Sequence, residues 1–155
     1  MKVLVIYDSK TGNTEKMAKA IAEGVAQVKG FSSDVRKIGE RFPLSHLAEA
    51  DGVVFGSPTR YADITNEMKD FLEHVGDYIK LNKMNVAGKK AGVFGSYGYD
   101  GAWVMEERFK GYIQVLGYKV YDKSCVKVDM EFKGDQTKVL SDCRDWGKRF
   151  VEYLK

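Results

Sequence analysis

A chain of 155 residues has the length of about one globular domain, and 44% hydrophobic with 30% charged residues and only 2 prolines excludes disorder, collagen-like repeats and low-complexity scaffolds. The 25 Lys+Arg against 22 Asp+Glu leave a formal charge of +3, but the basic residues stand singly or in pairs such as Lys89-Lys90, so nucleic acid is not an expected partner. Cys125 and Cys143 lack the spacing of a zinc site or a C-x-x-C redox motif, Val3–Ile6 is too short for a secretory core, and no run of ~20 apolar residues exists, so a cytoplasmic protein without disulfides is expected.

In chain order, Lys2 to Tyr7 is a Val/Ile-rich run without polar alternation, the pattern of a strand covered on both faces. Met17, Ile21, Val25 and Val28 then recur at helical spacing. Asp34 to Ile38 is half polar and reads as an edge strand, and a short turn is expected around Leu44 to Ala48. Gly52 to Gly56 is a second buried strand, followed by a helical stripe through Met68, Phe71, Leu72 and Val75. Ala91 to Gly95 is a third buried strand, and Met105, Phe109, Tyr112, Ile113 and Leu116 mark the next helix. Tyr118 to Val128 is a long alternating strand suited to an edge, and Leu140, Cys143, Trp146, Phe150 and Leu154 close the chain as a helix. Alternating strands and helices with right-handed crossovers predict one domain over residues 1–155, a three-layer α/β sandwich with helices on both faces. Five strands favour a parallel sheet in the order 2-1-3-4-5.

Sheets of this kind bind ligands beyond the carboxyl ends of their strands, where the strand order reverses. The turn after the first strand, Ser9-Lys10-Thr11-Gly12-Asn13-Thr14, gathers hydroxyls around a glycine before a helix, which suits a phosphate monoester held mostly by neutral donors. It lacks the G-x-x-x-x-G-K of nucleoside-triphosphate loops. The turns after the third and fourth strands read Ser57-Pro58-Thr59-Arg60-Tyr61-Ala62-Asp63 and Ser96-Tyr97-Gly98-Tyr99-Asp100-Gly101. Their tyrosines can stack on a flat, partly apolar ring. Plainer roles exist for each of these groups: Asn13 or Thr14 as ordinary helix caps, Tyr97 and Tyr99 as anchors of a surface loop, Arg60 as a solvated charge or an ion pair with Asp63. His46 and His74 have no ligand partners at metal spacing, and the cysteines read as small core residues.

The S-x-T-G-N-T turn resembles the FMN-phosphate loop of the flavodoxin superfamily, and the likeness runs from Met1 to Lys155. G-S-P-T-R-Y resembles the second loop of flavodoxin-like NAD(P)H:quinone oxidoreductases, and G-S-Y-G-Y-D-G-A-W the third loop of the flavodoxin domain in flavo-diiron proteins. The resemblance implies a short-chain flavodoxin-like fold with FMN as cofactor. Ser9, Thr11, Gly12, Asn13 and Thr14 would hold the phosphate. Ser57, Pro58, Thr59, Arg60 and Tyr61 would line one side of the isoalloxazine, and Ser96, Tyr97, Gly98, Tyr99 and Gly101 the other, with Lys10 and Asp100 also among the cofactor-binding residues. It implies electron transfer between redox proteins by a monomer or weak homo-oligomer, with no catalytic side chain and no metal; the alternative is an FMN-dependent NAD(P)H:quinone oxidoreductase. Two features depart from the family pattern. The chain is net basic where electron-carrying flavodoxins are acidic, and Arg60-Tyr61-Ala62-Asp63 lacks the glycine that commonly serves that loop. A left-handed peptide at Ala62 or Asp63 would therefore be strained.

Overall fold

A computed structural model describes all residues from Met1 to Lys155. Its elements run β1 (Lys2–Tyr7), α1 (Asn13–Ala26), β2 (Ser32–Lys37), α2 (Ser45–Glu49), β3 (Gly52–Pro58), α3 (Asn66–Lys80), β4 (Lys90–Tyr97), α4 (Ala102–Val115), β5 (Lys119–Val120), β6 (Cys125–Val128), a 3-10 turn (Asp129–Phe132) and α5 (Thr137–Leu154). The sheet is wholly parallel in the order β2-β1-β3-β4-β5, with β6 also paired to β4.

Strand period divides the core in two. Val3, Val5 and Tyr7 of β1 face α1 and α5, while Leu4 and Ile6 face the side covered by α2, α3 and α4. β3 is buried along its whole length, whereas β2 is only partly covered, as its polar sequence predicts for an edge. On the first face, α1 and α5 cross with backbones in contact. A Cβ at Gly24 would fall 2.0 Å from the Arg144 carbonyl oxygen, and one at Gly147 would fall 2.4 Å from that of Ile21. Both cysteines lie in this core as free thiols, their sulfurs 3.8 Å apart.

One expectation is corrected in detail. Tyr118 to Val128 is not an unbroken strand: Lys119 and Val120 pair with Lys90 and Ala91, and pairing resumes only at Cys125 opposite Phe94. Tyr121 to Ser124 thus oppose only Gly92 and Val93, so the outer chain swings out of the ladder. The excursion is stabilised by α5, whose Trp146 indole donates to the Lys123 carbonyl at 2.8 Å. The turn expected around Leu44 to Ala48 is the short helix α2. No helix is long and apolar enough to cross a membrane.

Candidate functional site

The chain leaves β1 toward β2 on one side and reaches β3 on the other, so the strand order reverses between β1 and β3. The loops after β1, β3 and β4 meet at the carboxyl edge beside this reversal. Buried hydroxyls join them. Thr14 Oγ1 lies 2.9 Å from Ser96 Oγ, linking the first and third loops. Ser57 Oγ accepts from the Thr65 amide at 3.1 Å, and Thr65 Oγ1 donates to Asp8 Oδ2 at 2.6 Å, linking the second to the first. The Thr59 amide donates to the Ser96 carbonyl at 2.8 Å. Thr14, Ser57 and Ser96 therefore brace the floor of the site with their side chains.

The first loop has the geometry of an anion cup. Gly12 caps α1 in the left-handed region at φ 98 and supplies no side-chain cap. Ser9 Oγ closes the turn by accepting from the Gly12 amide at 3.1 Å, while the amides of Thr11, Asn13 and Thr14 have no acceptor. Free amides at a helix N-terminus attract an anion through both hydrogen bonding and the helix dipole. Lys10 turns away from the cup: its ammonium pairs with Glu67 and lies 3.8 Å from Asp8 Oδ2. The bond to Glu67 raises the Lys10 pKa and lowers that of Glu67. Asn13 Nδ2 donates at 3.1 Å to Asp129 Oδ1 on the 3-10 turn, a third wall that the sequence pattern does not reveal.

The second loop turns back on itself. Arg60 and Asp63 exchange both backbone hydrogen bonds, at 2.7 and 3.0 Å, around Tyr61 at φ 51 and Ala62 at φ 58. Two consecutive left-handed residues define a tight hairpin turn that glycine or asparagine ordinarily occupies. Tyr61 stands 100% exposed on it, and Tyr99 of the third loop is 98% exposed. Arg60 does not pair with the Asp63 carboxylate; its guanidinium donates to the Thr59 carbonyl at 3.1 Å. The hydroxyl of Thr59 is buried without any partner. Such a group ordinarily costs on the order of 1–3 kcal/mol, and here it lies on the loop that lines the cleft. In the third loop, Gly98 and Asp100 are exposed, Tyr97 is half-buried at the end of β4, and Gly101 caps α4 at φ 77. Trp103, in the first turn of α4, is 73% exposed.

A cleft of about 380 Å³ runs beside the second loop between Lys10, Arg60, Tyr61 and Glu67. A larger one of about 480 Å³ lies between α3 and α4, lined by Leu72, Ile79, Val115 and Leu116. The smaller is the better candidate, because its lining comes from the loops after β1 and β3, which flank the strand-order reversal.

Comparison with known proteins gives the chain a family context. The family model described as Flavodoxin matches residues 5–146. An NAD(P)H dehydrogenase (quinone) of Acidithiobacillus ferrooxidans is 33% identical over 60% of this chain and 55% of its own length. The uncharacterized protein MJ0732 of Methanocaldococcus jannaschii is 31% identical over 97% of this chain and 36% of its own. The chain thus spans between about a third and just over half of these two relatives. Among solved structures, a flavodoxin from the domain Archaea superposes with a TM-score of 0.82 at 28% identity, covering 99% of both chains.

Proposed function

The chain belongs to the flavodoxin family, and from that premise we propose that residues 1–155 form one FMN-binding unit that passes electrons between redox partner proteins. The observation that carries this reading is the pairing of a strained turn with an unburied aromatic. Tyr61 is held at φ 51 and yet packs against nothing, an arrangement that brings the fold no stability and suits a ring stacked from outside.

The residues fit the group. The free amides of Thr11, Asn13 and Thr14 suit a phosphate monoester, and Tyr61 and Tyr99 offer two aromatic planes. When bound, the flavin supplies the electron uptake and release. The chain's own task is to bind the phosphate, to sandwich the ring and to leave one edge open to a partner. Lys10 serves here as a tether between the first loop and α3 through Glu67, outside the phosphate cup. No side chain is assigned as acid or base.

A second reading, an FMN-dependent NAD(P)H:quinone oxidoreductase, is favoured by the likeness to the Acidithiobacillus enzyme. Anaerobic photoreduction of the FMN-loaded protein, followed by addition of NAD(P)H and a quinone, separates the two. Electron uptake in two separate steps with no NAD(P)H consumption supports the carrier. Quinone-dependent NAD(P)H oxidation at enzymatic rates overturns it in favour of the reductase.

A further inference from the structure

The Arg60–Asp63 turn poses a problem that flavin binding alone does not solve. Tyr61 and Ala62 occupy a backbone region that side chains resist, and the Tyr61 ring makes no packing contact to hold them there. The anchor is the next residue. The Asp63 side chain is only 13% exposed, and its oxygens are surrounded by donors from three elements. Oδ1 accepts from the Ile64 amide at 2.8 Å. Oδ2 accepts from Lys69 Nζ of α3 at 2.8 Å and from the Tyr112 hydroxyl of α4 at 3.1 Å, with Arg108 Nη1 of α4 at 3.8 Å. The same Arg108 nitrogen donates to the Ala62 carbonyl at 3.2 Å.

Exposed ion pairs contribute little singly, but a largely buried carboxylate that accepts from two side chains and a backbone amide, with a guanidinium beside it, fixes its own position and that of the backbone on either side. Burial works to raise the Asp63 pKa, but the bonds from Lys69, Ile64 and Tyr112 outweigh it and hold the carboxylate ionised. α4 thus grips both residues that follow Tyr61, one through its carbonyl and one through its carboxylate.

We infer that Asp63, Arg108 and Tyr112 are positioning residues: they lock the strained turn so that Tyr61 is preformed for the flavin. This rests on the flavin assignment proposed above. Arg108 and Tyr112 lie on α4, outside the three loops, and act through the turn. A turn freed from the lock relaxes out of the left-handed region and loses its preformed fit to the flavin.

The test uses the full chain with Arg108→Met, Arg108→Lys and Tyr112→Phe. Without flavin, limited trypsin cleavage at the exposed Arg60–Tyr61 bond, read by mass as fragments 1–60 and 61–155, is expected to accelerate at least threefold in Arg108→Met and Tyr112→Phe, and to be largely restored in Arg108→Lys. With FMN, the dissociation constant of the oxidised form is expected to rise three- to tenfold in the same two variants. Unchanged cleavage, or unchanged affinity while FMN binds the parent protein normally, overturns the lock. Failure of the parent protein to bind FMN overturns the flavin reading and this role with it, and is told apart because it leaves the cleavage result standing.

Discussion

Gly101 and Ala62 meet so closely that a Cβ added at Gly101 would stand 3.0 Å from the Ala62 Cβ and 3.1 Å from its Cα. The loops after β3 and β4 are therefore one packed unit, and Gly101 also needs its freedom at φ 77 to cap α4. Gly101→Ala is expected to combine left-handed strain with a steric push on the turn, costing roughly 1–2 kcal/mol from the strain alone. For a chain of this size that is a fall of about 2–8 °C in melting temperature. An unchanged melting temperature would contradict both the strain at Gly101 and its close contact with Ala62.

Ala62→Gly should act the other way. Relief of left-handed strain, worth about 1–2 kcal/mol, is partly offset by the extra freedom of glycine in the unfolded chain, about 0.4–1 kcal/mol. A net stabilisation of roughly 0.5–1 kcal/mol is expected in denaturant melts. Destabilisation would mean that Ala62 is not strained.

Acid stability should follow the paired carboxylates. The Asp142 pKa is lowered first by its bond to Lys127, at 2.8 Å, and further by Lys138. Asp63 is lowered despite its burial, through Lys69, the Ile64 amide and Tyr112. A depressed folded-state pKa contributes stability that is present above the unfolded value, about 3.9, and is lost as pH falls through the folded one. Melting temperature measured by circular dichroism should therefore hold between pH 7 and 5 and fall below about pH 4. Asp142→Asn should show a shallower fall, and a steep loss beginning already at pH 6 would contradict the account.

The +3 charge bears on the potential. Acidic surroundings repel an anionic reduced flavin; here the net charge is positive, and Lys10, Arg60 and Lys69 outnumber Asp63 and Glu67 around the cleft. Each ~1.4 kcal/mol of repulsion removed raises a one-electron potential by about 59 mV. Spectroelectrochemical titration is expected to give a full-reduction potential less negative than in acidic flavodoxins. An equally low value would refute this.

How much of this could be read from the residues depends on range. Buried runs such as Val3–Tyr7 and Val53–Gly56 announce central strands because both their faces are covered, and the loops that follow them carry unusual chemistry in consecutive residues. The break at Tyr121–Ser124 is hidden because what satisfies it is Trp146, 23 positions after Lys123. Serine and threonine in a loop do not declare which way they face: Thr14, Ser57 and Ser96 turn inward, while Thr59 is left without a partner. The strain at Ala62 is foreseeable from the missing glycine; that Tyr61 shares it, and that Asp63 is clamped by α3 and α4 instead of pairing with Arg60, is not. Asp129 reaches Asn13 across 116 positions, a contact that no local pattern encodes.

The central claim is that the free amides at the start of α1 hold the phosphate of FMN while Tyr61 and Tyr99 cover its ring. The most direct measurement is a flavin-fluorescence titration of the flavin-free protein with FMN and, in parallel, with riboflavin, which has the same ring but no phosphate. The account predicts quenching on stacking and an affinity for FMN at least tenfold above that for riboflavin, the loss of about 1.4 kcal/mol or more. Equal affinity for the two, or no quenching by either, would contradict it.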